Sequence, residues 1–168
     1  MPPPSAPQDV LALCAALPER RVAAGEVLIE EGVRTDRIYV LKSGALDVVR
    51  GKIRVVEIRE PGAFVGEISA LLGTAPMATV SATEDSVVHV VEQASAAVTR
   101  NAALTHAIAR LLARRLQAVT AYLVDVKRQY AETDTHLTVM DLVLADLMAM
   151  QPQAGAGTGS ERDDVPPY

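Results

Sequence analysis

The stretch that decides the fold runs from residue 64 to residue 82: Phe64-Val65-Gly66-Glu67-Ile68-Ser69-Ala70-Leu71-Leu72-Gly73-Thr74-Ala75-Pro76-Met77-Ala78-Thr79-Val80-Ser81-Ala82. It opens on an apolar strand end and turns at Gly66. About one turn of apolar helix follows, stopped by Gly73, and beyond Pro76 the chain re-enters an extended Ala-Thr-Val run. The first N–H groups of such a short helix have no partner within it. Together with the positive end of the helix dipole they predict a site for an anion around Glu67, Ile68 and Ser69.

On both sides of this stretch lie short β-branched runs: Val27-Leu28-Ile29, Ile38-Tyr39-Val40-Leu41, Leu46-Asp47-Val48-Val49, Ile53-Arg54-Val55-Val56 and Val87-Val88-His89-Val90-Val91. Glycines 25, 32, 44, 51, 62, 66 and 73 fall among them. Turn signals at this spacing predict an all-β sandwich or barrel over about Arg20 to Glu92. Arg50-Gly51-Lys52 is the best hairpin turn in the set. Counted on a two-residue period, Arg50, Lys52 and Arg54 share one face, and that face reads as solvated.

From Gln93 to Met150 there is no Gly and no Pro, and apolar residues recur at helical spacing. Leu112, Leu116, Val119, Leu123, Val126 and Tyr130 alternate steps of four and three, which is an a/d seam. Leu104, Ile108, Leu111, Ala118 and Tyr122 form a second apolar face. Two faces need two partners, so the second face is expected to lie on the β-domain and the seam to pair with its copy in a homodimer. The alternative is a monomer whose last helix covers the seam.

The expected organisation is a flexible arm over residues 1–8 and a domain over 9–131 that includes the dimer helix at about 102–131. A C-terminal helix over 132–150 and a disordered Gly/Pro/Ser-rich tail over 151–168 complete it.

Charge and composition narrow the function. The chain has 168 residues, with 16 Lys+Arg against 21 Asp+Glu and a formal charge of −5. An acidic chain has no general field for nucleic acid or an anionic membrane. The single cysteine, Cys14, excludes an intrachain disulfide and reads as buried and inert in a short amphipathic helix. His89, His106 and His136 share no metal-ligand spacing, so no metal site is expected. There is no nucleophile motif, P-loop or dinucleotide fingerprint, so no enzyme activity is expected. No apolar run of about 18 residues predicts a membrane span. The first residues also lack the form of a signal peptide, so the expected location is cytoplasmic.

Several of these elements occur together in one family. Gly25-Glu26-Val27-Leu28, Glu31-Gly32, Tyr39-Val40-Leu41-Lys42-Ser43-Gly44, Pro61-Gly62 and the stretch from Phe64 to Ala82 occur in this order, with the seam helix after them. Over about Val10 to Tyr130 the chain resembles the cyclic-nucleotide-binding domain of catabolite-activator (Crp/Fnr-like) regulators, cyclic-nucleotide-dependent kinases and cyclic-nucleotide-gated channels. The resemblance implies a mainly β fold with α: a double-stranded β-helix, or jelly-roll, barrel followed by a long dimerisation helix and a short C-terminal helix. It implies cAMP or cGMP as ligand and signalling to a separate protein partner.

Carried over by residue, the resemblance makes Glu67 the acceptor of the ribose 2′-hydroxyl and turns the N–H groups of Ile68 and Ser69 to the cyclic phosphate. Gly66, Pro76, Met77 and Ala78 then line the site, and Thr79 stands where a Thr or Ser bonds a phosphate oxygen or the purine. Read from the residues alone, Glu67 has the alternative of a solvated surface acid, and Thr79 is equally open to being a plain strand residue.

One departure weighs on the ligand. The family places an arginine on the phosphate, and Pro76, or Met77 in the neighbouring register, occupies that position here. No Lys or Arg occurs from Glu60 to Thr99. A charge-assisted hydrogen bond is worth about 1.5–3 kcal/mol, or roughly one to two decades of affinity.

Three outcomes fit: a cyclic nucleotide held by backbone donors and a remote Arg110, Arg114 or Arg115; a less anionic ligand on a greasy floor; or an empty site on a dimeric interaction module. The residues after Tyr130 are too few for a helix-turn-helix reader, so no DNA contact is expected.

Overall fold

In the computed structural model of the chain, residues 7–129, 142–147 and 149 are described. Residues 1–6 of the expected arm, the start of the last helix, Tyr130 and the tail lie outside them, whereas Pro7 and Gln8, expected in the arm, already belong to the first helix. The described chain runs α1 (Pro7–Cys14), β1 (Glu19–Val22), β2 (Val27–Ile29), β3 (Arg37–Ser43), β4 (Leu46–Arg50), β5 (Ile53–Ile58) and β6 (Phe64–Val65). Then follow α2 (Glu67–Leu72), β7 (Thr79–Ala82), β8 (Ser86–Glu92), α3 (Ala94–Arg100) and α4 (Ala102–Gln129). It divides into a unit ending at Arg115 and a second unit from Leu116.

The first unit holds two four-stranded antiparallel sheets, ordered β1-β8-β3-β6 and β2-β7-β4-β5. Alternation along the strands explains their layers. On β3, Tyr39 and Leu41 enter a core between the sheets, with Val22, Ile29, Leu46, Val65, Val80 and Val88. Their neighbours Ile38 and Val40 face the other way, into a second core with Cys14, Phe64, Ala70, Ala94, Leu104 and Ile108. A strand buried on both faces reads as the unbroken apolar run that the sequence shows there. The two sheets are those of the expected jelly roll; among the described residues no strand pairing that would close them into a barrel is found.

The β4–β5 hairpin turns where expected. Arg50 stands opposite Ile53, and the two-residue loop begins at Gly51 with φ 59. Its pairing corrects the shared face of Arg50, Lys52 and Arg54. Across a two-residue loop, partners differ by an odd number, so the parity that links these residues along one strand is reversed between strands. Arg54 stands opposite Val49 and its Nε donates to Asp47 at 2.5 Å, on the face away from Arg50.

The helical run breaks at Asn101, whose Oδ1 accepts the Leu104 N–H at 3.1 Å and caps α4. Asp36 holds the start of α3: its carbonyl accepts the Ala94 N–H at 2.9 Å, and its carboxylate accepts the Ser95 N–H at 2.8 Å and hydroxyl at 2.7 Å. Within the first unit, Leu104 and Ile108 are buried and Leu111 packs on the second core, as the second apolar face requires. Leu112 packs there too, although the heptad count puts it on the seam. In the second unit Leu116, Val119 and Tyr122 are 53%, 50% and 68% exposed, Leu123 and Val126 are half-buried, and Ala118 is exposed. Residues 142–147 are helical. Among the described residues no helix is long and apolar enough to cross a membrane.

Candidate ligand-binding site

The chain leaves β6 through Gly66, whose φ of 87 is in the left-handed region. A side chain there would put its Cβ 2.8 Å from the Arg37 carbonyl oxygen and 3.1 Å from Ile29 Cδ1. This turn starts α2 immediately and carries Glu67 inward. Its side chain is only 3% exposed, which excludes the surface-acid reading. A buried carboxylate needs compensation, and it comes from α4. Arg115 Nη1 donates to Glu67 Oε1, and Nη2 donates to the Phe64 carbonyl at 3.2 Å. One guanidinium thus ties the head of α2 and the end of β6 to the long helix.

These groups edge a cavity of about 710 Å³, within the usual size range of small-molecule sites. Gly66, Glu67, Ile68, Ser69, Pro76, Met77, Ala78 and Arg115 all line it. Thr79, Arg110 and Arg114 do not. Thr79 is turned away because Val80 and Ala82 take the core parity of β7, and its hydroxyl instead accepts the Glu31 N–H at 3.1 Å.

The rest of the wall comes from residues that the motif did not point to. Val48, Val56, Ile58, Ala63 and Leu111 make it apolar. Both Val55 and Val56 line it where the β4–β5 register shifts by one residue.

Three arginines, Arg50, Arg59 and Arg115, and three glutamates, Glu57, Glu60 and Glu67, also reach the wall. Arg59 donates to Glu57 at 2.9 and 3.1 Å and to Glu84 at 3.2 Å. Those bonds hold the Glu57 carboxyl below its ordinary value and the Arg59 guanidinium above its own. The signal for Arg50 was in the sequence: Leu46, Val48 and Arg50 alternate along one strand. Among the described residues no cluster of His, Cys, Asp and Glu could hold a metal ion.

A largely apolar cavity edged by a buried, arginine-held carboxylate on a jelly roll has the form of a small-molecule site. Residues 19–97 match the family model of the cyclic nucleotide-binding domain. Among curated relatives, the cAMP-dependent protein kinase regulatory subunit of Blastocladiella emersonii is 40% identical over 77 residues, covering 43% of this chain and 19% of that protein. The chain spans about a fifth of the length of the curated relatives it matches.

Among solved structures, the Thermus thermophilus catabolite activator protein superposes with a TM-score of 0.58 at 25% identity, over 73% of this chain and 60% of that one. The regulatory subunit of a cAMP-independent protein kinase A from Trypanosoma brucei superposes with a TM-score of 0.51 at 26% identity, over 61% of this chain and 36% of that one.

Proposed function

We propose that this domain is a non-catalytic sensor that takes cAMP or cGMP in the cavity and signals to a separate protein. The observation that carries this reading is Glu67, buried at the cavity wall and clasped by Arg115 of α4. A ribose hydroxyl donating to Glu67 competes with that clasp, so filling the cavity changes what holds α4 to the site. Ligand then shifts the population of α4 arrangements rather than creating a new one. Ile68, Ser69 and the Pro76–Ala78 segment would surround the ligand. The seam residues of α4 from Leu116 to Val126, together with Tyr130 from outside the described residues, would pair two copies. Regulation of a kinase, as the relative in B. emersonii is named for, is the type of output this implies. The lone thiol of Cys14 suits a reducing cytoplasm, and the acidic balance argues against DNA or an anionic membrane as partner.

The test is calorimetric titration of the full chain with cAMP and with cGMP, with Glu67→Ala as the control. Saturable heat in the parent that is lost in the variant supports the reading; no heat and no melting shift at millimolar nucleotide sinks it. A second reading is favoured by Pro76 and Met77 at the place of the family's phosphate-binding arginine, and by the T. brucei relative's description as cAMP-independent. In it the domain is a dimeric interaction module, or takes a ligand that is not a cyclic nucleotide. The same titration separates the two.

A further inference from the structure

A cyclic phosphate carries a charge, and the cassette from Gly73 to Ala78 offers none to meet it. The cavity wall nevertheless holds three arginines, and two of them are already engaged. Arg59 is bound to Glu57 and Glu84, and Arg115 to Glu67 and the Phe64 carbonyl. Drawing either onto an anion strands a carboxylate, which in the case of Glu67 is a buried one.

Arg50 differs. Among the described residues its guanidinium has no hydrogen-bond or ion-pair partner. Its position is set by the sheet. The β4–β7 register pairs Val49 with Thr79, so Arg50 is the next residue along, beside Ala78 at the end of the cassette. It also keeps the parity of Leu46 and Val48, which face the inter-sheet core and the cavity. At the hairpin turn the Glu31 carboxylate, from the loop after β2, is taken up by the Gly51 N–H at 2.8 Å, and Glu31 does not line the cavity.

We propose that Arg50 is the displaced cation of this site, reading from β4 the anionic group of a bound cyclic nucleotide that the cassette leaves unmatched. The proposal rests on the cyclic-nucleotide reading above and adds the residue that recognises the charge. An anion between Arg50 and the Pro76–Ala78 segment gains a guanidinium without breaking any existing ion pair. The ribose 2′-hydroxyl, next to the cyclic phosphate on the same ring system, would remain with Glu67, which lines the same cavity.

The test is calorimetry on the full chain with cAMP, cGMP and adenosine, which shares base and ribose with cAMP but carries no phosphate. The proteins compared are the parent, Arg50→Ala, Arg50→Lys and Glu67→Ala. Because Arg50 is exposed, its variants are expected to melt with the parent. Loss of one charge-assisted contact weakens cyclic nucleotide binding by about 10- to 100-fold in Arg50→Ala. Arg50→Lys falls between the two, and adenosine binding is unchanged.

If Arg50→Ala leaves cyclic nucleotide affinity unchanged while Glu67→Ala lowers it, the charge is read elsewhere and the proposal fails with the sensor reading intact. If the parent binds adenosine as tightly as cAMP, the site reads no charge and the proposal fails in the same way. If the parent binds none of the three, the proposal and the sensor reading fall together.

Discussion

Glu67 and Arg115 are unequal partners: the Glu67 side chain is 3% exposed and that of Arg115 41%. Removing the arginine leaves a buried carboxylate with nothing but whatever water enters, whereas removing the carboxylate leaves a cation that can turn to solvent. Arg115→Ala is therefore expected to lower the unfolding free energy by about 1–3 kcal/mol, below the range for fully buried pairs because water substitutes in part for the lost cation. Glu67→Gln should cost less, and adding it to Arg115→Ala should recover part of the loss; chemical denaturation of the four proteins measures this cycle. Equal losses from both single changes would mean that the pair is not buried asymmetrically.

Cys14 permits a prediction of another kind. Burial pushes its thiol from 9.0 to about 11. An acid whose pKa is raised by folding stabilises the folded state below the unfolded value and loses that contribution as pH climbs toward the folded one. Stability should thus decline between about pH 9 and 11 in the parent more than in Cys14→Ala, read from melting curves. In the same range the thiol should resist a disulfide reagent until the protein unfolds.

Among the elements, α3 depends most on a single side chain. Asp36 caps it from the loop before β3, and hydrogen bonds from Ser95 hold the Asp36 carboxyl below its ordinary value. A depressed carboxyl stabilises the fold above its unfolded value, and that contribution is lost as pH falls through the lower, folded one. Asp36→Ala should therefore melt a few degrees below the parent at neutral pH, with the gap closing on the acid side of 3.8, the ordinary value for this carboxyl; Asp36→Asn, still an acceptor, should lie between.

No local pattern announced this cap, because Asp36 is 59 residues from Ser95 in sequence. The strands, by contrast, were legible because each is a local matter of β-branched residues between turn glycines. The short helix α2 was legible for the same reason, with Gly66 and Gly73 bounding it. What local reading missed were relations between elements. The odd-numbered pairing across the hairpin sends Arg50 inward and Arg54 outward. The register on β7 turns Thr79 away, and the reach of Arg115 from α4 to Glu67 spans 48 residues. Arg110, Arg114 and Arg115 are indistinguishable by composition, and only helix phase selects the one that lines the cavity.

For the molecule as a whole, the open question is what covers α4. Its first half is accounted for, since Leu104 and Ile108 are buried and Leu111 and Leu112 pack on the second core of the first unit. The heptad steps continue past that unit, where Leu116 and Val119 are half-exposed to solvent. A row of large apolar residues at coiled-coil spacing gains most by meeting its own copy, because two-fold pairing buries every knob of the seam twice over. The parent is therefore expected to run as a dimer of the 17.8 kDa chain in light scattering. A chain carrying both Leu116→Lys and Leu123→Lys should run as a monomer, since two lysines per helix at the seam place like charges where apolar contact is needed. These residues lie outside the first unit, so the variant should keep its cavity and its calorimetric response to ligand. A parent that is already monomeric at micromolar concentration would remove the seam assignment and leave the cavity to act within a single chain. A variant that loses ligand binding together with its partner would instead mean that the second copy helps to hold Arg115 on Glu67.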